Sequence, residues 1–361
     1  MSWSKRIIDI YSYILHFLGF SERQTKFDMF LIYFSALGAI LNDCFILYNL
    51  KYTAFTIENI TNFTETAFCF LEITFYSAIA IFKRSDFTAL LEMQSLCWDH
   101  AAFDRQFSRH TAKIFKLCLA FSVFFGLLGE ITAISSSVLA FLDRGVPFYC
   151  YVPDDIVWYF IVFITQAYCS SYICVFAVSM LIVYATIMFE MHYQLRMLNA
   201  RFAEMATMGD LRRCVEHHGF LYGYFQRSRR MFSGVLLMLY VRSIGLSCME
   251  LLIAVDKNKP AGLRFKALCF VPLIFLELCL VCVPISIVKN ESENTPDAIS
   301  RSDLLLHDDL RVRKNAIFLL KRCQKAFTFK AGDLYELDFN TPVQIFKSGL
   351  SIYTLMKSFE N

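Results

Sequence analysis

Residues 156–189 read IVWYFIVFITQAYCSSYICVFAVSMLIVYATIMF, 34 positions without one charged side chain. A bilayer crossing takes about 20 mostly apolar residues in a helix. This run is too long for one crossing and too short for two joined by a turn. It therefore predicts a single helix that spans a membrane and projects beyond it. The whole chain agrees: of its 361 residues 57% are hydrophobic and 19% charged, against about 45–50% and about 25% in soluble domains. The net charge of +3 is too small to indicate a nucleic-acid partner.

Outward from that run, further apolar stretches fall at 30–50, 66–82, 114–142, 231–255, 267–288 and 339–359. With 156–189 they make seven spans in one all-α membrane unit over 1–361. Lys and Arg give the direction, because they concentrate on the cytoplasmic side. Segments 1–29, 83–116, 190–230 and 289–338 hold 26 of the 35, and the segments between them on the other side hold 7. The N-terminus is thus expected inside and the C-terminus outside. Two sequons, at Asn59 and Asn62, fall on the expected outer side, and Asn290 starts a third on the inner side, where it should stay unmodified.

This direction opposes that of G-protein-coupled receptors. No Asp-Arg-Tyr follows the third span, and no Asn-Pro-x-x-Tyr lies in the seventh. There is no internal repeat of the kind that marks many transporters. The thirteen cysteines sit mostly in apolar runs, as small buried hydrophobes do, and no Cys/His spacing suggests zinc. No nucleophile–base set or phosphate loop occurs, so neither an enzyme nor a cofactor is expected. His217 and His218, about 100° apart on a helix, read as packing or hydrogen-bonding residues beside His192.

Inner segments carry helical patterning. Residues 1–29 begin with an amphipathic stretch (Ile7, Ile8, Ile10, Tyr11, Ile14, Leu15, Leu18) suited to the inner membrane face. In 302–327 Ser302 is placed to cap an anchor helix with an apolar face through Leu306, Leu310, Ile317, Leu320 and Cys323. A turn at Lys330–Asp333 follows. Thr341-Pro342 then starts the last helix, 339–361, since proline suits a first turn. Inner helices from several spans predict a shared intracellular bundle, an assembly surface.

Three stretches carry a resemblance. The first is VPFYCYVPDDIVWYFIVFITQAY, with Pro147, Pro153 and Gln166. The second is CVEHHGFLYGYFQRSRRMFSGVLLMLYVRSIGLSCMELL, with Cys214, His218, Ser243 and Cys248. The third is RKNAIFLLKRCQKAFTFKAGDLYELDFNTPVQIFKSGLSIYTLMKSF, with Lys347. In order and spacing they resemble the insect odorant receptors, and the Thr-Tyr…Gln-Phe ending of gustatory receptors is absent. The resemblance implies a ligand-gated cation channel in the plasma membrane of a sensory dendrite. It implies four subunits around a central pore lined by the last helix, most members pairing with a shared co-receptor. The short inner stretch 190–230 implies an odour-tuning subunit.

The resemblance also places a small, largely apolar volatile ligand in the outer half of the bundle. Candidates are Phe68, Leu71, Glu72 and Phe75 on the second span, with Ile131, Ser135 and Val138 on the third. Trp158, Tyr159 and Phe163 follow on the fourth, and Phe265 and Phe270 on the sixth. Leu355, Ser358 and Phe359 fall at the implied outer constriction, where an apolar ring gates by excluding water, and Lys357 is expected to snorkel outward. Charges inside spans are functional suspects by default: Glu72, Glu130, Arg242, Glu250 and Glu277 qualify. Arg242 is expected to pair with a glutamate that the sequence does not single out, and Cys150 on an outer loop has no assigned partner. A seven-span receptor that signals through cytoplasmic partners without conducting ions, and a transporter, are the alternative readings.

Overall fold

The computed structural model describes residues 3–18, 20, 25–51, 57–153, 155–255, 261–306 and 309–358. The chain is helical almost throughout, the form in which a backbone satisfies its own polar groups inside hydrocarbon. Helix α1 (Trp3–Phe17) buries Ile7, Ile8, Tyr11 and Leu15 and exposes Tyr13 together with Ile10, which the sequence reading counts among its apolar residues. Its Tyr11 hydroxyl hydrogen-bonds Ser122 at 2.6 Å, which ties it beneath a span. Helix α2 (Lys26–Leu50) opens on a reciprocal cap: Thr25 accepts from the Asp28 amide, and Asp28 accepts from the Thr25 amide at 2.9 Å.

There follow α3 (Ile57–Phe82), α4 (Arg84–Met93), the single turn α5 (His100–Phe103) and α6 (Arg105–Leu142). Next come α7 (Ile156–Ala203), α8 (Met208–Val255), α9 (Ala261–Glu293), α10 (Thr295–Ser300), α11 (Leu310–Cys323) and α12 (Thr341–Ser358). Helix α7 has 48 residues, about 72 Å, one helix crossing and projecting as its sequence predicts. It is the spine of the fold, packed against α1, α2, α3, α6, α8, α9 and α10. Among the described residues six helices, α2, α3 and α6–α9, are long and apolar enough to cross a membrane. The seventh, α12, has 18 residues, about 27 Å, and its hydropathy is diluted by polar residues along one side. Asn59 and Asn62 lie in the opening turns of α3, not in a loop.

The inner ends of α7, α8 and α9 gather with α10 and α11 into a buried aromatic bundle. Phe329 meets Tyr184 and Phe225 edge-on, and Phe327 packs against Phe225 and Tyr222. The histidines act as packing and hydrogen-bonding groups here. His217 stacks on Trp98 at 3.7 Å and bonds Gln194 at 3.2 Å, and His218 faces the Cys323 sulfur at 3.5 Å. Burial pushes the Cys323 thiol up to about 12, so it is an inert packing group.

The anchor helix differs from its sequence reading. Ser302 caps nothing; it is buried with its hydroxyl on the Ile299 carbonyl at 2.7 Å. The helix starts at Leu310, where the Asp309 carboxylate accepts from the Arg311 amide at 2.8 Å. An aspartate cap next to the periodic stretch prevails over a serine that α10 has already buried. The buried face becomes Val312, Ala316, Leu319 and Cys323, while Leu306, Leu310 and Ile317 are exposed.

The expected turn at Lys330–Asp333 is a tight hairpin between β1 (Lys330–Ala331) and β2 (Tyr335–Glu336), and it leads into α12. Gly332, at φ +58°, donates its amide to the Ser233 carbonyl at 3.0 Å, which pins the hairpin to α8. A Cβ there would stand 2.4 Å from Leu237 Cδ2. Gly332→Ala is therefore expected to destabilise the fold by about 1–3 kcal/mol through overpacking and the left-handed backbone. The check is a lower melting temperature of the detergent-solubilised chain, with Ala331→Gly as a control for general loosening.

Candidate functional site

Helices α3 and α8 run antiparallel and meet along a seam of matched positions. The Phe68 ring lies against Gly245: a Cβ built on that glycine would sit 2.6 Å from Phe68 Cε2. About one turn toward the inner side, Glu72 meets Arg242, whose guanidinium donates to Glu72 Oε2 at 3.0 Å. Further along, Phe75 Cζ is 3.2 Å from the place of a Gly234 Cβ. Glycine at 234 and 245 thus admits the two rings to the α8 backbone.

Arg242 does not stop at one partner. Its other terminal nitrogen donates to Glu277 Oε2 on α9 at 2.5 Å, and the Tyr76 hydroxyl donates to Glu72 Oε1. Two carboxylates on different helices therefore share one guanidinium, whose planar fork suits this geometry. Glu72 is fully buried and Glu277 a quarter exposed. Beneath the ion pair lies a cavity of about 20 Å³, lined by Tyr76, Met180, Tyr184, Phe232 and Glu277 among others, with room for about one water.

A second polar cluster fastens the loop before α7 to the spans. Gln166 is fully buried; its amide nitrogen donates to Asn42 Oδ1 at 3.0 Å and to the Cys150 sulfur at 3.1 Å. Its oxygen accepts from the Phe148 amide at 2.9 Å. Phe148 in turn meets the buried Phe70 edge-on at 5.4 Å. Cys150 is a free thiol, and burial pushes it up to about 11, partly offset by the Gln166 hydrogen bond.

The structure gathers only part of the residues expected to bind a ligand. Phe68, Glu72 and Phe75 share the α3–α8 seam. Tyr159 and Phe163 stack on each other at 6.1 Å, with the Tyr159 hydroxyl on the Gly145 carbonyl at 3.1 Å. Phe270 packs in a separate small cluster with Ile274, Leu278 and Ile345. By contrast Leu71, Ile131, Ser135, Val138, Trp158 and Phe265 are all exposed on the outside of the bundle. On α6 the reason is plain: Gly126 and Gly129 face Val178 and Cys174 of α7, and this packing turns Ile131, Ser135 and Val138 away from the core. A span apolar on every side carries no signal that says which side is inner.

Helix α12 buries Thr341, Pro342, Ile345 and Gly349 against α8 and α9. Gly349 makes the approach close: its Cβ would stand 3.2 Å from Ser247 Oγ. The opposite face exposes Gln344, Lys347, Ser351, Thr354 and Leu355 within an arc of about 100° at 100° per residue, flanked by the exposed apolar Val343, Leu350 and Ile352. The hydroxyls of Ser348, Ser351 and Thr354 bond carbonyls three or four residues back at 2.8–2.9 Å. Of the three residues expected at an outer constriction, Leu355 lies on this exposed face, Ser358 ends α12, and Phe359 lies outside the described residues.

Residues 45–348, most of the chain, match the family described as 7tm Odorant receptor. The chain belongs to this odorant receptor family. Odorant receptor 42a of Drosophila melanogaster is 22% identical over 144 residues, which cover 40% of this receptor and 35% of that protein. The match thus spans about a third of that relative's length. Two solved structures of the olfactory receptor OR5 of Machilis hrabei share the fold, each with a TM-score of 0.78. The one in complex with eugenol is 14% identical and overlaps 99% of this chain and 98% of the other; the second is 15% identical, with 98% and 97%.

Two features of the receptor's site escape reading along the sequence. The double role of Arg242 depends on which glutamates the packing brings near. The polar face of α12 is legible as spacing at 344, 347, 348, 351 and 354, but its exposure requires the packed helix. Arg242→Met is expected to cost about 3–5 kcal/mol by leaving Glu72 buried without its counter-charge. The Arg242→Met, Glu72→Gln double variant should recover part of that loss. Thermal melting of the solubilised receptor checks both, and equal melting of single and double variants would contradict the coupling.

Proposed function

We propose that the receptor is the odorant-tuning subunit of a ligand-gated, non-selective cation channel. A polar face on a membrane helix, exposed on the single subunit, is the observation that carries this reading. Lipid disfavours such a face, and a water-filled path lined by α12 accommodates it. The full assembly is a heterotetramer with a co-receptor of the family, in the plasma membrane of a sensory dendrite. Four α12 helices then surround the pore, with Leu355, Ser358 and Phe359 toward its outer mouth.

The ligand is a small, largely apolar volatile compound seated against the α3–α8 seam, with Phe68 and Phe75 supplying aromatic surface and Glu72 one of its few polar groups. Binding opens the pore to the extent that the ligand prefers the open arrangement. Because α8 touches both the seam and α12, a shift of α8 reaches the pore directly. The eugenol complex of OR5 supports a ligand of this size and polarity.

A receptor that signals through cytoplasmic partners is the second reading. It is favoured by an open cleft of about 690 Å³ at the inner end, between Trp98 and Phe103, the end of α7 and the start of α8. Whole-cell current separates the two. Co-expression with a co-receptor subunit should give an inward cation current to some member of a panel of volatile phenols, esters and alcohols. Phe68→Ala and Phe75→Ala should raise the half-maximal concentration about ten-fold, the loss of roughly 1.4 kcal/mol of contact, at unchanged surface expression. Ligand-evoked second-messenger responses without current would favour the cytoplasmic reading.

A further inference from the structure

We infer that Lys347 is a selectivity-determining residue of the permeation path, a fixed positive charge that holds back divalent cations more than monovalent ones. The inference rests on the channel reading above. Between Gln344 and Thr354, Lys347 is the only charged residue of α12, and it lies on the exposed polar face with Gln344 and Ser351. It stands about 9 Å along the axis from Thr341, so it lies past the first turn and inside the membrane-crossing part of the helix.

Its surroundings leave the charge uncompensated within the subunit. Among the described residues no carboxylate pairs with Lys347. Asp338, an acid near the start of α12, is occupied as a cap: its Oδ1 accepts from the amides of Asn340 at 2.9 Å and Thr341 at 3.0 Å. Glu336 is taken by Lys289 at 2.8 Å. The neutral neighbours of Lys347 on its face have side chains turned to local bonds, Ser351 to the Lys347 carbonyl and Ser348 to the Gln344 carbonyl. An unpaired ammonium facing lipid is costly. On an aqueous path it stays hydrated, and its repulsion of a passing ion doubles with the ion's charge.

The number of such lysines follows subunit composition. Each copy of this chain adds one positive charge at the same depth of the pore. The Ca²⁺-to-Na⁺ permeability ratio is therefore a property this subunit sets for the assembly it joins.

The test is the reversal potential of the evoked current in cells co-expressing a co-receptor with wild-type, K347Q, K347E or K347R chains. Extracellular Na⁺ is replaced by Ca²⁺, and the volatile panel above is the stimulus. K347Q is expected to raise the Ca²⁺-to-Na⁺ permeability ratio about three-fold, K347E to raise it further, and K347R to keep it. An evoked current with the wild-type ratio in both K347Q and K347E overturns the inference and leaves the channel reading standing.

Where the panel evokes no current in the wild-type pair, accessibility decides. A membrane-impermeant maleimide should label the K347C variant above the wild-type background in permeabilised cells. It should spare L350C, which alters an exposed apolar residue beside the polar face. Equal protection of both variants would place Lys347 off any aqueous path and overturn the inference.

Discussion

Hydrocarbon offers no hydrogen-bond partner and little compensation for charge, and the architecture follows from that constraint. It makes the membrane-crossing segments helical, and it decides where a buried charge can stand. Arg242 lies within a span yet keeps its charge in company, between Glu72 on α3 and Glu277 on α9. Each of the three ions would be expensive alone. Together they hold three helices at one depth and fix the rotation of α3, which directs Phe68 and Phe75 toward α8. The aromatic seam between α3 and α8 is therefore set by an electrostatic arrangement next to it.

The two ends of the bundle are built differently. At the inner end the side chains of α7 from 182 to 188 are all buried, and a polar network follows them at Glu190 and Gln194. His100 meets Glu190 at 2.9 Å, and Gln194 links Glu190, the Trp98 backbone and His217. Networks with their members paired in this way rigidify and specify a core. At the outer end α6 shows most of its apolar residues outward, and α12 touches chiefly α8 and α9. The inner bundle is thus firmly packed, and the outer half of the single subunit more loosely.

Much of this was legible in the sequence because the bilayer imposes one-dimensional signatures. The 34-residue run at 156–189 gave α7 as a single projecting helix, and the Lys-330 turn and the Thr341-Pro342 start of α12 were readable from local chemistry. Ser302 misled because a serine before a periodic stretch is a good cap only if its side chain stays free, and α10 buries it. Ile131, Ser135 and Val138 lie on the exposed side for another reason: α6 carries apolar residues all around, and two glycines facing α7 choose its inner face.

What the sequence by itself determined is the class of molecule, the crossings and their direction. Hydropathy and charge act on each segment through the solvent it meets, whichever neighbours it has. The tertiary structure decided which of several glutamates hold Arg242, which aromatic rings meet across α3 and α8, and that the polar side of α12 stays uncovered. Those outcomes depend on which helices come together and at what rotation, and spans apolar on every face leave both to packing.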